Sequence, residues 1–137
     1  MGVTDAWLID KSALVRLPTH PDEPTWSRRI DQGLVHVCAL TLLAVGYSMR
    51  NAAGHAALLG SEPLSRMIVQ WDLPTSTTQR AFEVQGLLAA RGQHRAPSVA
   101  DLLLAAIAEA VGLTILHCDK DFELIAELTG QPLCRLN

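Results

Sequence analysis

Asp10, Asp101, Asp119 and Asp121 are the residues whose type and spacing best suit chemistry. Trp7-Leu8-Ile9 leads into Asp10, and Thr114-Ile115-Leu116-His117-Cys118 leads into Asp119 and Asp121. Asp101 opens a helical run that continues through Ala105-Ala106-Ile107-Ala108. In a parallel α/β sheet, the carboxyl ends of strands and the amino ends of helices share one edge, where ligands usually bind. Two carboxylates about 4 Å apart there repel by roughly 4 kcal/mol at an effective dielectric of ~20. A hard divalent cation, Mg²⁺ or Mn²⁺, relieves that repulsion with oxygen ligands. The pattern predicts a metal-dependent phosphodiesterase site. Each aspartate also has a humbler use. Ser98-Val99-Ala100-Asp101 has the spacing of a capping box, and Asp10 and Asp119 can cap the first and last helices. Asp121 would then favour a positive helix end. Four acids on one edge exceed what capping requires, and Asp10, directly after a buried strand, is the hardest to explain that way.

The elements that would position these acids alternate strand and helix. Strands are expected over residues 7–10, 34–38, 71–73 and 114–118, with a possible fifth over 133–136. Helices are expected over 11–16, 25–32, 41–50, 62–70, 77–91, from Ser98 to near Gly112, and 122–128. Gly33 stops the second helix, Pro63 stands at a tolerated first-turn position, and Ser98 caps the helix that carries Asp101. Strands alternating with helices at this spacing predict an α/β fold, a three-layer α/β/α sandwich with a central parallel sheet of four to five strands.

Composition bounds the rest. A chain of 137 residues suits a single domain, 1–137, with a real core. Apolar residues make up 49% and charged residues 18%, too apolar for disorder and rich enough to suggest a covered partner surface. No apolar run reaches the ~20 residues that span a bilayer, and the first residues lack the pattern of a signal peptide. A cytosolic protein is expected. Cys38, Cys118 and Cys134 are odd in number and widely spaced, so reduced thiols are expected rather than a disulfide or zinc site. Strand alternation sends His117 and Cys118 to opposite faces, which argues against a zinc pair. His20, His36 and His55 show no recognisable partner, and Trp7, Trp26 and Trp71 read as core or interface residues. Net charge is −3, yet its distribution is uneven. Six acids and one lysine fall between Asp101 and Glu127, while Arg80, Arg91 and Arg95 outnumber Glu83 just before. Nine of the eleven basic residues are arginines, the side chain best suited to phosphate. An acidic floor with an arginine rim fits a nuclease; ordinary solvated charge fits equally well. His94, with Arg91 and Arg95, could touch RNA phosphate.

Three blocks then carry a family resemblance. Leu8-Ile9-Asp10-Lys11-Ser12-Ala13, Arg95-Ala96-Pro97-Ser98-Val99-Ala100-Asp101-Leu102-Leu103-Leu104-Ala105-Ala106 and His117-Cys118-Asp119-Lys120-Asp121-Phe122-Glu123-Leu124-Ile125-Ala126 resemble the opening, central and closing motifs of PIN-domain ribonucleases. They are closest in pattern to the VapC toxins of type II toxin–antitoxin pairs. The resemblance implies a Mg²⁺- or Mn²⁺-dependent endoribonuclease. By motif, Asp10, Asp101, Asp119 and Asp121 become metal ligands or their supporting acids, and Ser12 a polar neighbour of the metal, with Ser12, Arg91 and Arg95 expected at the substrate. It also implies a VapB-like antitoxin partner whose tail sets a basic side chain among the acids, a homodimer, and a toxin–antitoxin hetero-oligomer. Helices 25–32 and 40–50 are expected to line the groove for that tail. One departure stands out. In the run Leu40-Thr41-Leu42-Leu43-x-Val45-Gly46 the family places a glutamate at x, and this chain has Ala44. An alanine neither binds metal nor orients water, so impaired cleavage is expected. Ala44 is either a natural loss or an engineered change, and the intact flanking pattern favours the second.

Two other classes compete. Phosphotransfer, as in receiver domains and haloacid-type phosphatases, wants a paired acid at the first strand end, and Asp10-Lys11-Ser12 offers only one. A non-catalytic antitoxin-binding module with a vestigial acidic site has Ala44 as its best support.

Overall fold

Buried β-branched and leucine-rich triplets form the centre of the molecule. The structure, a computed structural model, describes residues 5–137. Five strands, β1 (Trp7–Ile9), β2 (Val35–Cys38), β3 (Ile68–Gln70), β4 (Thr114–His117) and β5 (Leu133–Arg135), make one sheet in the order β3-β2-β1-β4-β5. All four pairings are parallel. The register sets Leu8 beside His36 and Ile115, and Ile9 beside Leu116. Because successive side chains alternate faces, the sheet feeds two separate cores. Leu8, Cys38 and Ile115 face α5 (Thr77–Ala90), α6 (Val99–Val111) and α7 (Asp121–Thr129). Trp7, Ile9, Val35, Val37 and Leu116 face α1 (Lys11–Leu14), α2 (Glu23–Asp31) and α3 (Ala39–Tyr47). Each leucine, isoleucine or phenylalanine fully enclosed this way contributes about 1.5–3 kcal/mol. The expected α/β/α sandwich with a parallel sheet is the observed one, with five strands.

The chain order positions the site. From β1 the chain builds outward through β2 to the edge strand β3, then returns across the sheet to lay β4 on the other side of β1. The order therefore reverses between β1 and β4, and ligand crevices form at such reversals, outside the carboxyl ends of the strands. Asp10 follows β1 and Asp119 follows β4.

Several expected elements differ. Residues 62–70 are not a helix: a short 3-10 turn, Leu64–Arg66, leads directly into β3 at Ile68–Gln70, so the third strand lies before residues 71–73 rather than over them. The β-branched pair Ile68-Val69 fits a pleated strand beside β2, and pairing with Val37 and Cys38 outweighs weak local helix preference. A short helix, α4 (Ala52–Ala56), was not expected; Asn51 caps it by accepting from the Gly54 backbone N–H at 2.9 Å. Helix α2 begins two residues earlier than expected, with Pro24 in its first turn. Gly33 leaves it at a φ of 72°, the left-handed conformation that glycine adopts without strain.

Candidate active site

Asp10 and Asp101 cap their helices as expected, whereas Asp119 does not cap α7, which starts from Lys120 without a side-chain cap bond; three of the four acids still converge. Asp10 continues the ladder, its N–H donating to Leu116 O at 2.9 Å, and then caps α1. Its Oδ2 accepts from the Ser12 backbone N–H at 3.1 Å and from Ser12 Oγ at 2.7 Å. Asp101 completes the capping box at the start of α6: Ser98 Oγ accepts from the Asp101 N–H at 3.0 Å, and Asp101 Oδ2 accepts from the Ser98 N–H at 3.2 Å. Asp119 Oδ1 accepts from the Asp121 N–H at 2.9 Å, where α7 begins. Ligand oxygens from Asp101, Asp119 and Asp121 nonetheless lie within 4.8 Å of one another.

That convergence has an electrostatic signature. The Asp101 carboxyl is pushed above its ordinary value, chiefly by burial and then by the negative charges of Asp10 and Asp119, while its bonds to Ser98 pull the other way. Asp121 is raised too, by burial and by the charge of Asp119. Asp10 is outside the tight trio, yet its charge reaches Asp101. The donor set is all carboxylate oxygen, half-buried and mutually repelling. It fits a hard divalent cation and suits a soft thiophilic metal poorly.

Ser12 joins the two central strands at this edge. Its Oγ donates to Asp10 and accepts from the Cys118 N–H at 2.9 Å, so it holds the ends of β1 and β4 together. His117, only 1% exposed, orients the next turn by accepting from the Asp119 N–H at Nδ1, 3.1 Å away. Burial lowers its pKa, which keeps it neutral. That role follows from its place before Asp119, though the sequence alone did not single it out. His20 and His36 also have partners, contrary to expectation: His36 Nδ1 bonds the Gln70 amide at 2.9 Å, and His20 bonds the Asp22 N–H at 3.0 Å.

Ala44 lies inside α3. On α3, Thr41 and Ala44 share a face. Thr41 Oγ1 donates to Ile9 O at 3.2 Å, and Lys11 Nζ donates to Ala44 O at 3.3 Å and to Ser48 Oγ at 2.7 Å. The two positions thus bracket Asp10 from before and after. The expected substrate arginines are exposed. Arg91 is paired with Glu127 at 3.0 Å, and Arg95 is exposed in the loop before α6. Cys38 is buried and Cys118 and Cys134 are half-buried free thiols, as expected.

The raised Asp101 value has a consequence for stability. A carboxyl whose folded value exceeds its unfolded one weakens the fold as pH rises through that window, and weakens it least below the unfolded value. Asp101→Asn, which keeps an acceptor for Ser98, should therefore raise the melting temperature of the metal-free protein at pH 7 by about 3 °C. The gain should fade as pH drops toward the ordinary carboxylate range. Differential scanning calorimetry in chelator checks this, and a lower melting temperature at pH 7 would contradict it.

A five-stranded parallel α/β/α sandwich, with acids at its topological reversal, is the architecture of a nuclease class. The PIN-domain family model matches residues 7–128, and the chain belongs to that family, among its VapC members. Ribonuclease VapC2 of Mycobacterium tuberculosis is 54% identical over 130 residues, covering 95% of this chain and 92% of that one. The DNA-bound VapBC structure from Salmonella typhimurium superposes with a TM-score of 0.73 at 16% identity, covering 98% of this chain and 100% of that one. VapBC-5 of Mycobacterium tuberculosis, from a family of toxin–antitoxin systems, superposes with a TM-score of 0.61 at 20% identity, over 98% and 99% of the two chains.

Proposed function

We propose that this chain is the toxin of a type II toxin–antitoxin pair, a metal-dependent endoribonuclease whose cleavage step is impaired by Ala44. The observation that carries this is the convergence of Asp101, Asp119 and Asp121 beside Asp10, at the switch point of a PIN-family sheet. The ribonuclease name of its 54%-identical relative supports the substrate class. Asp101, Asp119 and Asp121 would hold the cation, with Asp10 adding charge. When bound, a Mg²⁺ or Mn²⁺ ion supplies charge for a scissile phosphate and lowers the pKa of water. The chain's own residues supply rigidity: Ser12 locks Asp10 to the end of β4, the capping box fixes Asp101, and His117 fixes the turn that carries Asp119. A glutamate at position 44 would complete the ring on the Asp10 side and could orient the attacking water; a methyl group does neither. The fully non-catalytic alternative, an antitoxin-binding module, rests on that same alanine. Calorimetric Mn²⁺ titration tests the carboxylate account. Binding should weaken as pH falls through the carboxylate range, because protonated ligands do not bind, and should be tighter in Ala44→Glu. No binding to either form would refute it.

For the partner, an apolar trough between α3 and α4 supports a docking groove that uses α3, one of the two helices expected to line it. It is about 490 Å³, lined by Leu42, Leu43, Leu58, Leu59, His55 and Trp71. Leu43 is 68% and Trp71 60% exposed, unusual for side chains of that size. An amphipathic helix of the antitoxin would bury them, and its tail could reach the acids with an arginine or lysine. Leu43→Arg should weaken the toxin–antitoxin complex by roughly 100-fold, the cost of ~2.7 kcal/mol, without lowering the melting temperature of the toxin alone. Unchanged affinity by calorimetry would move the interface elsewhere.

A further inference from the structure

The molecule holds a second polar cleft that the acidic centre does not use. It is about 580 Å³, lies between α2 and the end of β5, and is lined by His20, Trp26, Arg29, Cys134, Arg135 and Asn137 among others. Arg29 is its distinctive member. Its guanidinium carbon sits 4.7 Å from the centroid of the Trp7 ring and 4.4 Å from that of Trp26, and the two indoles meet edge-on at 5.0 Å. Both indoles are buried, so the arginine is held in place rather than swinging in solvent. No ion pair among the described residues includes it. The neighbouring charges are otherwise engaged: Arg135 is paired with Glu123 at 2.7 Å, and His20, accepting from the Asp22 N–H at Nδ1, turns its Nε2 to Asn137 O. The charge of Arg29 reaches inward as far as Cys134, whose thiol burial pushes up and Arg29 pulls down. Asp22 also lines the cleft, but it does not pair with Arg29.

A planar cation with five donors, fixed by two rings and lacking an acceptor, is a ready receptor for a tetrahedral oxyanion. Hydrogen bonds tie the rim of the cleft to the carboxylate edge. Leu136 donates its N–H to His117 O at 2.8 Å and accepts from Cys118 Sγ, and Cys118 donates its N–H to Ser12, the partner of Asp10. We propose that the Arg29 cleft is a phosphate subsite that grips the backbone of single-stranded RNA beyond the cleaved bond, with Arg29 as its anchor. This rests on the ribonuclease reading of the acidic edge. A carboxylate from a protein partner is the competing occupant; the rim at Leu136 and Asn137, just past the carboxyl end of β5 and so on the sheet edge that carries Asp10 and Asp119, favours a phosphodiester of the strand they would cleave.

The test uses a short, uncleavable 2′-O-methyl oligoribonucleotide in chelator, so that it needs no catalysis, and follows tryptophan fluorescence and anisotropy. Inorganic phosphate serves as a second probe of Arg29 through the indoles that flank it. The unsubstituted chain should bind the oligonucleotide with a salt-dependent affinity. Arg29→Met should weaken it by about tenfold and should flatten the slope of log affinity against log salt by about 0.7, the share of one phosphate contact on a single strand. Arg29→Lys should keep most of the slope. Loss of binding without a change in slope would assign Arg29 a packing role only and overturn the subsite, as would an unchanged affinity in a folded Arg29→Met protein. Binding of a glutamate-bearing peptide but not of phosphate or oligonucleotide would likewise overturn it in favour of a protein ligand. If Ala44→Glu cleaves RNA while Arg29→Met binds and cleaves normally in that background, the subsite fails and the ribonuclease stands. If phosphate and oligonucleotide bind through Arg29 but Ala44→Glu never cleaves, the nuclease reading fails and the anion site stands.

Discussion

Ala44→Glu should switch on Mg²⁺- or Mn²⁺-dependent cleavage of RNA, raising the rate by roughly 10²–10³-fold, the usual worth of one well-aimed group that acts in the transition state. Its expression should arrest growth. The reason is local. Position 44 lies between two contacts that flank Asp10, one from Thr41 to Ile9 O and one from Lys11 to Ala44 O. A carboxylate there would add charge beside Asp10, which lies outside the Asp101, Asp119 and Asp121 trio. Lys11, held by Ser48, stands close enough to steady the new side chain. Asp10→Asn or Asp101→Asn in that background should return cleavage to the level of the Ala44 protein. Robust cleavage by the Ala44 form in chelator would defeat the whole carboxylate–metal account. Mapping of cut sites in total RNA would give the substrate as well as the rate.

Phe122→Ala should cost about 3–5 kcal/mol of stability, the range for emptying a fully enclosed aromatic site. Phe122 is 0% exposed and seats the first turn of α7 against α5 and α6. Its ring lies 5.3 Å from that of His117, tilted by 58°. Its chain neighbour is Asp121, so a slack α7 should also spread the acids and weaken Mn²⁺ binding in molecules that remain folded. Urea denaturation and metal titration on the same preparation measure both effects. A loss below ~1 kcal/mol would mean that the site refills by collapse.

The blocks around the acids were readable because there local and global demands agree. Trp7-Leu8-Ile9 is too short and apolar to be anything but an enclosed strand, and Ser98 and Asp101 form the capping box that their spacing announces. Capping and convergence read as rivals in the sequence, and Asp101 does both: the capping box that starts α6 also aims its carboxylate at Asp119 and Asp121. Residues 62–73 misled for the opposite reason. Their strand is three residues long and owes its form to β2, whose paired residues lie 32 positions earlier, which no local window contains. Arg29 was equally hidden. Nothing in Ser27-Arg28-Arg29-Ile30 says that Trp7 and Trp26 will enclose one of its two arginines. The trough between α3 and α4 depends on a short helix that the sequence did not reveal.

The double employment of the aspartates makes position 44 a special place to disarm the molecule. Replacing Asp10 or Asp119 by a residue with no acceptor removes the bond that each makes at a helix start along with a proposed ligand, so silencing the chemistry there disturbs the scaffold. Position 44 lies inside α3 and caps nothing, and alanine is the residue that a helix interior tolerates best. A chain disarmed at that point keeps its architecture and its outer surfaces. Under the toxin reading proposed above, it would therefore act as a decoy: an inert twin that occupies an antitoxin and leaves armed copies unguarded.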